Sequence, residues 1–244
     1  MNERVNKHHI GTSGWHYDHW REVFYPPELP KKKWFDFYSR HFSTVELNNS
    51  FYRLPSENTF ANWRDSSPPG FLFAVKASRF ITHVKRLKNL GDALATFLSR
   101  ADILQDRLGP LLYQLPPNIN RDEDRLESFL SSLPSGYQHV FEFRNESWFQ
   151  DSVFERLRRH NVGFCIYDMP DFTTPLVATA GFAYIRFHGS TLMYGGSYPD
   201  DELERWAQSI GELSQGLTSS YIYFNNDIEG FAVKNAKRLD ELLQ

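Results

Sequence analysis

The sequence predicts an α/β fold, a single (β/α)8 TIM-type barrel over residues 1–244, with an irregular crossover between the sixth and seventh strands. Three observations predict it. Short β-branched and aromatic runs alternate with helical patterns along the chain, which is how repeated βα units read in sequence. There are eight such runs, and a chain of 244 residues lies in the range that one barrel occupies. Polar residues gather at the carboxyl ends of the runs, the end where barrels of this type place their sites.

The strands fall near 9–12, 44–48, 71–77, 111–115, 139–144, 163–168, 182–188 and 221–225. Helical stretches lie between them, near 32–41, 57–65, 92–107, 122–132, 153–160, 200–215 and 231–243. The link from Asp168 to Phe182 is the exception, because Pro170 and Pro175 leave little room for a full helix. The first long loop, residues 14–30, carries Trp15, Tyr17, Trp20, Phe24 and Tyr25. Most of these rings are expected to pack at one end of the barrel, with Trp15 and Tyr17 the candidates for stacking on a ligand.

Hydrophobic residues make up 41% and charged residues 23%, the usage of a chain that folds. The formal net charge of -3 offers no long-range attraction for nucleic acid or an anionic membrane, so any nucleic-acid contact has to be local. Cys165 is the only cysteine, which excludes an intrachain disulfide. No apolar run approaches the ~20 residues of a membrane span, and Met1 to Lys7 lead into the first strand without the apolar stretch of a secretory signal. A cytoplasmic location without a membrane partner is the expectation.

Side chains alternate between the two faces of a strand, so residues two apart point the same way. That rule places Glu46 with Asn48 in the second strand, and Lys76 with Leu72 and Ala74 in the third. It sets Gln114 above Leu112 in the fourth strand and Glu142 with Arg144 in the fifth, opposite Phe141 and Phe143. In the sixth strand it aligns Asp168 with Phe164 and Ile166, and in the seventh Arg186 and His188 with Tyr184. Asn225 shares a face with Tyr221 and Tyr223 in the eighth. All these polar ends are expected to point inward to one charged pocket.

The alternative is a buried ion-pair network in which Glu46, Glu142 and Asp168 neutralise Lys76, Arg144 and Arg186. Buried pairs often fail to repay their desolvation, so a fold selected for stability alone does as well with apolar residues. The cations suit an anionic small molecule, since a guanidinium fork matches phosphate and carboxylate oxygens. Arg144, Arg186, His188 and Asn225 would anchor it, Glu142 and Asp168 would act as acid and base, and Glu46 and Asn48 would orient groups. Lys76 is read as a charged partner, with a Schiff-base role if neighbouring cations depress its pKa.

No cofactor is expected. A divalent metal on Glu46, Glu142, Asp168 and His188 is the competing reading, opposed by the three nearby cations and by the lack of any zinc motif. Gly195-Gly196, after the seventh strand, sits where barrels bind phosphate through backbone amides, and Thr82-His83 is a candidate rim contact. His8 and His9 are expected to be solvated or packed. Cys165 is expected to point with Tyr167 toward the helices as a buried, inert thiol.

A family resemblance adds to this reading. Ile10-Gly11-Thr12-Ser13-Gly14-Trp15, Thr44-Val45-Glu46-Leu47-Asn48, Val75-Lys76-Ala77-Ser78, Gln114-Leu115-Pro116-Pro117, Glu142-Phe143-Arg144, Ser147-Trp148, Arg186-Phe187-His188-Gly189 and Phe224-Asn225-Asn226-Asp227 resemble the YecE-like family, domain of unknown function 72. The match runs nearly end to end. It implies a TIM-type barrel of bacterial and archaeal cytosolic proteins and brings no established activity with it. Its recurrent strand-end residues fall on Glu46, Asn48, Lys76, Glu142, Arg144, Asp168, Arg186, His188 and Asn225. The chain departs from the family pattern at Asn145, where His is usual, at Ser190, where Arg is usual, and at Glu22, where Gly is usual.

Three functions follow as expectations: an enzyme doing acid-base hydrolysis or lyase-type cleavage on a phosphorylated or carboxylated small molecule, a nucleic-acid-binding or repair protein, and a non-catalytic ligand-binding barrel. Barrel endonucleases are the analogy for the second, but they use several strand-end His ligands that this chain lacks.

Overall fold

The computed structural model describes residues 7–244, so the reading of the first six residues as lacking an apolar leader lies outside the described residues. Among the described residues the strands are β1 (Lys7–Ser13), β2 (Thr44–Leu47), β3 (Leu72–Lys76), β4 (Leu108–Leu115), β5 (His139–Phe143), β6 (Gly163–Met169), β7 (Phe172–Thr173), β8 (Phe182–Phe187) and β9 (Ser219–Phe224). Their order is β5-β4-β3-β2-β1-β9-β8-β6-β7, and β5 also pairs with β6. The fold is therefore a closed, eight-stranded parallel barrel of the TIM type, with β7 as an added antiparallel strand on β6.

The α-helices among the described residues are α1 (Trp34–Tyr38), α2 (Asn49–Tyr52), α3 (Glu57–Ser66), α4 (Ala93–Ala101), α5 (Glu123–Ser132), α6 (Asp151–Arg159), α7 (Asp200–Leu213) and α8 (Phe231–Leu242). All eight strands read from the sequence are present, and no helix joins β7 to β8, as the prolines of that crossover require. Several short elements lie outside the reading, among them β7, α2 and a π-type turn at Phe80–Val84 in which the Lys85 amide bonds the Phe80 carbonyl at 2.8 Å. No helix among the described residues is long and apolar enough to cross a membrane.

The contacts group into two units, Met1–Glu46 with Ile166–Gln244, and Leu47–Cys165. In the first, β1 pairs along six residues with β9, which pairs in turn along its length with β8. Gly11 is required on β1, since a Cβ there would lie 2.3 Å from the Thr44 carbonyl oxygen of β2. The aromatic loop packs as expected: Trp20, Tyr25 and Trp34 are fully buried, and Tyr25 stacks on Trp34 with centroids 4.5 Å apart. On the helix-facing side of β8, Phe187 meets Trp206 of α7 edge-on at 4.9 Å.

In the second unit, β3, β4 and β5 pair in parallel, and the first residues of β6 pair with β5. Tyr113, Phe141, Phe143 and Trp148 form a stacked aromatic ladder on the helix-facing side, with Phe129 of α5 edge-on to Phe141. Two of its helices, α3 and α5, begin at side-chain caps. Ser56 accepts the Thr59 amide at α3 and Asp122 the Arg125 amide at α5, each cap contributing about 1 kcal/mol.

Candidate functional site

In the discontinuous unit, register and alternation converge on Glu46. Ser13 stands directly opposite Glu46 across the β1–β2 pair, and its hydroxyl donates to Oε1 at 2.6 Å. From β8, Tyr184 donates to Oε2 at 2.6 Å and Arg186 donates through Nη2 to Oε1 at 2.7 Å. Both charged groups are buried, Glu46 fully and Arg186 to within 1%. Burial pushes the Glu46 pKa up, but the Arg186 guanidinium and the hydroxyls of Ser13 and Tyr184 outweigh it, so the carboxyl lies below its ordinary range.

The chain of contacts continues outward along β8. Arg186 Nη1 lies 3.3 Å from His188 Nε2, and the Asn225 amide lies 3.0 Å from His188 Nδ1. A guanidinium only donates, so His188 Nε2 is the acceptor of the Arg186 contact. Four expected residues, Glu46, Arg186, His188 and Asn225, thus form one connected group.

In the continuous unit, the fully buried Glu142 collects donors. Gln114 Nε2 donates to Oε1 at 2.7 Å, Arg144 Nε donates to the same oxygen, and the Cys165 thiol lies 3.8 Å from Oε2. Gln114 and Glu142 are paired in register across β4 and β5, and Arg144 follows two residues on, on the same face. Lys76 places its ammonium 4.2 Å from the centre of the Phe51 ring, and His83 meets that ring edge-on at 4.9 Å. Burial, then Lys76 and Arg79, lower the His83 pKa to about 4. Asn48 accepts the Phe51 amide through its carbonyl as α2 begins.

Strand β6 corrects the alternation reading. Phe164 packs on Phe143, Phe149 and Phe154, so Phe164, Ile166 and Asp168 face the helices, and Cys165 and Tyr167 face the other way. Cys165 is buried as expected but points to Glu142, while Tyr167 lies edge-on to His188 at 6.0 Å. Asp168 accepts from the hydroxyls of Thr173 at 2.5 Å and Tyr198 at 2.8 Å, and it has no place in the Glu46–Arg186 group. Both faces of a parallel barrel strand are buried, so the polarity of one terminal residue does not decide which face is inward.

The remaining positions sort as follows. Trp15 is partly buried against Phe35, and Tyr17 is partly buried against Trp20, its hydroxyl donating to the Ser13 carbonyl. His9 stacks on Tyr221, with centroids 5.0 Å apart. Thr82 is fully buried, and its hydroxyl bonds His83 Nδ1. Asn145 caps the turn Glu146–Trp148 by accepting the Ser147 amide, and Ser190 donates to Glu202. Among the described residues, no three or more His, Cys, Asp or Glu side chains are grouped to hold a metal ion. Ser13 and Tyr184 went unread as site members, although Tyr184 lies two residues before Arg186 and alternation alone joins them.

A parallel eight-stranded barrel with ionised groups buried at the carboxyl ends of its strands belongs to the class of (β/α)8 barrel proteins. The chain belongs to the DUF72 family: the family model described as "Protein of unknown function DUF72" matches residues 9–244. It is 27% identical to the UPF0759 protein YunF of Bacillus subtilis over 96% of this chain and 94% of that one. With the UPF0759 protein YecE of Escherichia coli K12 it shares 30% identity over 77% of each chain. A crystal structure of a DUF72 family protein from Thermotoga maritima superposes with a TM-score of 0.89 at 30% identity, covering 98% of this chain and 99% of that one.

Proposed function

We propose that this barrel is an enzyme that binds a phosphorylated or carboxylated small molecule and cleaves it by acid-base chemistry, as a hydrolase or lyase. One observation carries the reading: twice, in separate units, an arginine is set on a fully buried carboxylate at the carboxyl end of barrel strands, Arg186 on Glu46 and Arg144 on Glu142. Two such pairs are a poor investment for stability alone, because desolvation offsets most of their attraction. Fixed guanidinium forks are well suited to anion recognition.

In the continuous unit, Arg144 is the partly exposed fork, Glu142 the proton-transfer group, Gln114 its positioning residue and Lys76 a charged partner for anionic oxygens. In the discontinuous unit, Glu46 orients Arg186, and His188 and Asn225 carry the polar contacts outward, with Trp15 and Tyr17 of the aromatic loop as the stacking candidates. Thermal-shift measurements against phosphosugars, nucleotides and organic acids test the reading. Stabilisation by one anion class, lost in Arg144→Gln, supports it. Stabilisation by no anion, or equal stabilisation of the variant, overturns it. With a ligand in hand, Glu142→Gln is expected to keep binding and lose turnover.

A further inference from the structure

Asp168 does not belong to the chemistry just proposed, yet it is 94% buried and lies at a cavity of about 240 Å³. The cavity is walled by Thr173 of β7, by Leu176 from the crossover, and by Glu202 and Trp206 of α7. Its origin is the crossover itself: the chain between β7 and β8 forms no helix, so this flank of β6 is left to the β7 turn and α7.

The electrostatics of the cavity are one-sided. The Asp168 carboxylate accepts from two neutral hydroxyls and is paired with no cation among the described residues. Glu202, the second carboxylate, accepts from the Ser190 hydroxyl and is likewise without an ion pair among them. Arg205, at the cavity, turns its guanidinium to Asp201 at 2.7 Å instead. Burial raises the Asp168 pKa, its two hydroxyl donors lower it, and the Glu202 charge raises it again, with a net upward result. A buried carboxylate without a counter-ion is costly, and a cation delivered from outside removes that cost.

We propose that this cavity is a second ligand site that takes a small organic cation, an alkylammonium or alkylguanidinium, with its charge on Asp168 and Glu202 and its apolar body against Trp206 and Leu176. The indole and the leucine side chain favour an organic body over a hydrated metal ion, and an aromatic ring beside carboxylates suits such cations. The size of the cavity suits a group of a few heavy atoms. None of these residues takes part in the proposed acid-base chemistry, so the two readings stand or fall separately.

Isothermal titration calorimetry of the full chain with agmatine and with butylammonium, against sodium chloride of equal ionic strength, tests the proposal. Wild type is expected to bind, and Glu202→Gln and Asp168→Asn are each expected to weaken binding by about tenfold or more. Glu202 is partly exposed, so its variant keeps the test open if Asp168→Asn fails to fold. The proposal is overturned if wild type binds neither amine, if Glu202→Gln binds with unchanged affinity, or if magnesium binds and the amines do not.

Discussion

Arg186 and Glu46 meet at 2.7 Å with the guanidinium 1% exposed and the carboxylate fully buried, so neither charge is held by water. Removing one member strands the other, which costs about 3–5 kcal/mol for buried pairs. Glu46→Leu is expected to lose that much stability in urea denaturation, and the double variant Glu46→Leu with Arg186→Met to recover a large part of it. Because the folded carboxyl titrates below its ordinary range, the contribution of the pair is complete above the unfolded pKa and disappears as the pH falls through the folded one. A loss below about 1 kcal/mol in Glu46→Leu would mean that the charges contribute little to holding the fold.

Two histidines make stability depend on mildly acidic pH. Burial, with Lys7 and His8 adding, lowers His9 to about 4, and burial, with Lys76 and Arg79 adding, does the same for His83. The unfolded chain takes up these protons near 6.5, so stability is full above that pH and falls as the pH drops from about 6.5 to about 4. His9→Phe keeps a ring on Tyr221 and deletes one titration. Denaturation midpoints across this range are expected to fall less steeply in the variant than in wild type.

Glu22 holds a left-handed backbone, with φ at 68°, and its side chain is exposed. A glycine at this position adopts that conformation without a Cβ penalty. Glu22→Gly is expected to stabilise the chain by up to about 1 kcal/mol in chemical denaturation. Destabilisation would show that the Glu22 side chain contributes more than the strain costs.

The loop after β8 has the opposite requirement. Gly189 has φ at 119°, and a Cβ there would lie 2.1 Å from the Leu192 carbonyl oxygen and 2.2 Å from that of Gly195. Gly189→Ala therefore has to open the loop, which places the Tyr194 amide on the His188 carbonyl at 2.6 Å and the Tyr194 ring edge-on to His188. Hydrogen exchange at Tyr194 is expected to speed up by at least about tenfold while the amides of β9 keep their protection. Unchanged exchange would show that the loop tolerates the side chain.

Much of this was legible in the residues. Alternation placed Glu142 opposite Phe141 and Phe143, and Arg186 opposite Phe187, because on those strands one face ends in charge and the other in large aromatic rings. It failed on β6, where Phe164 and Ile166 on one face look as apolar as Cys165 and Tyr167 on the other, and the packing of Phe164 on Phe154 decides the matter. The cavity beside Asp168 was legible only in its cause, since Pro170 and Pro175 marked a crossover without a helix but not what would line the space. It arises from a helix that does not form, and the carboxylate of Glu202 comes from an element far along the chain.

The pairing of β1 with β9 also sets the order in which the chain can fold as it is made. Lys7 waits for Ser219, roughly 200 residues later, which at the usual rates of synthesis is roughly 10–40 s on the ribosome. Leu47–Cys165 is one continuous stretch and emerges whole long before that. During the interval, one side of β1 is an unsatisfied strand edge with its partner not yet translated, and the nascent chain is exposed there to mispairing and to the chaperones that bind such edges.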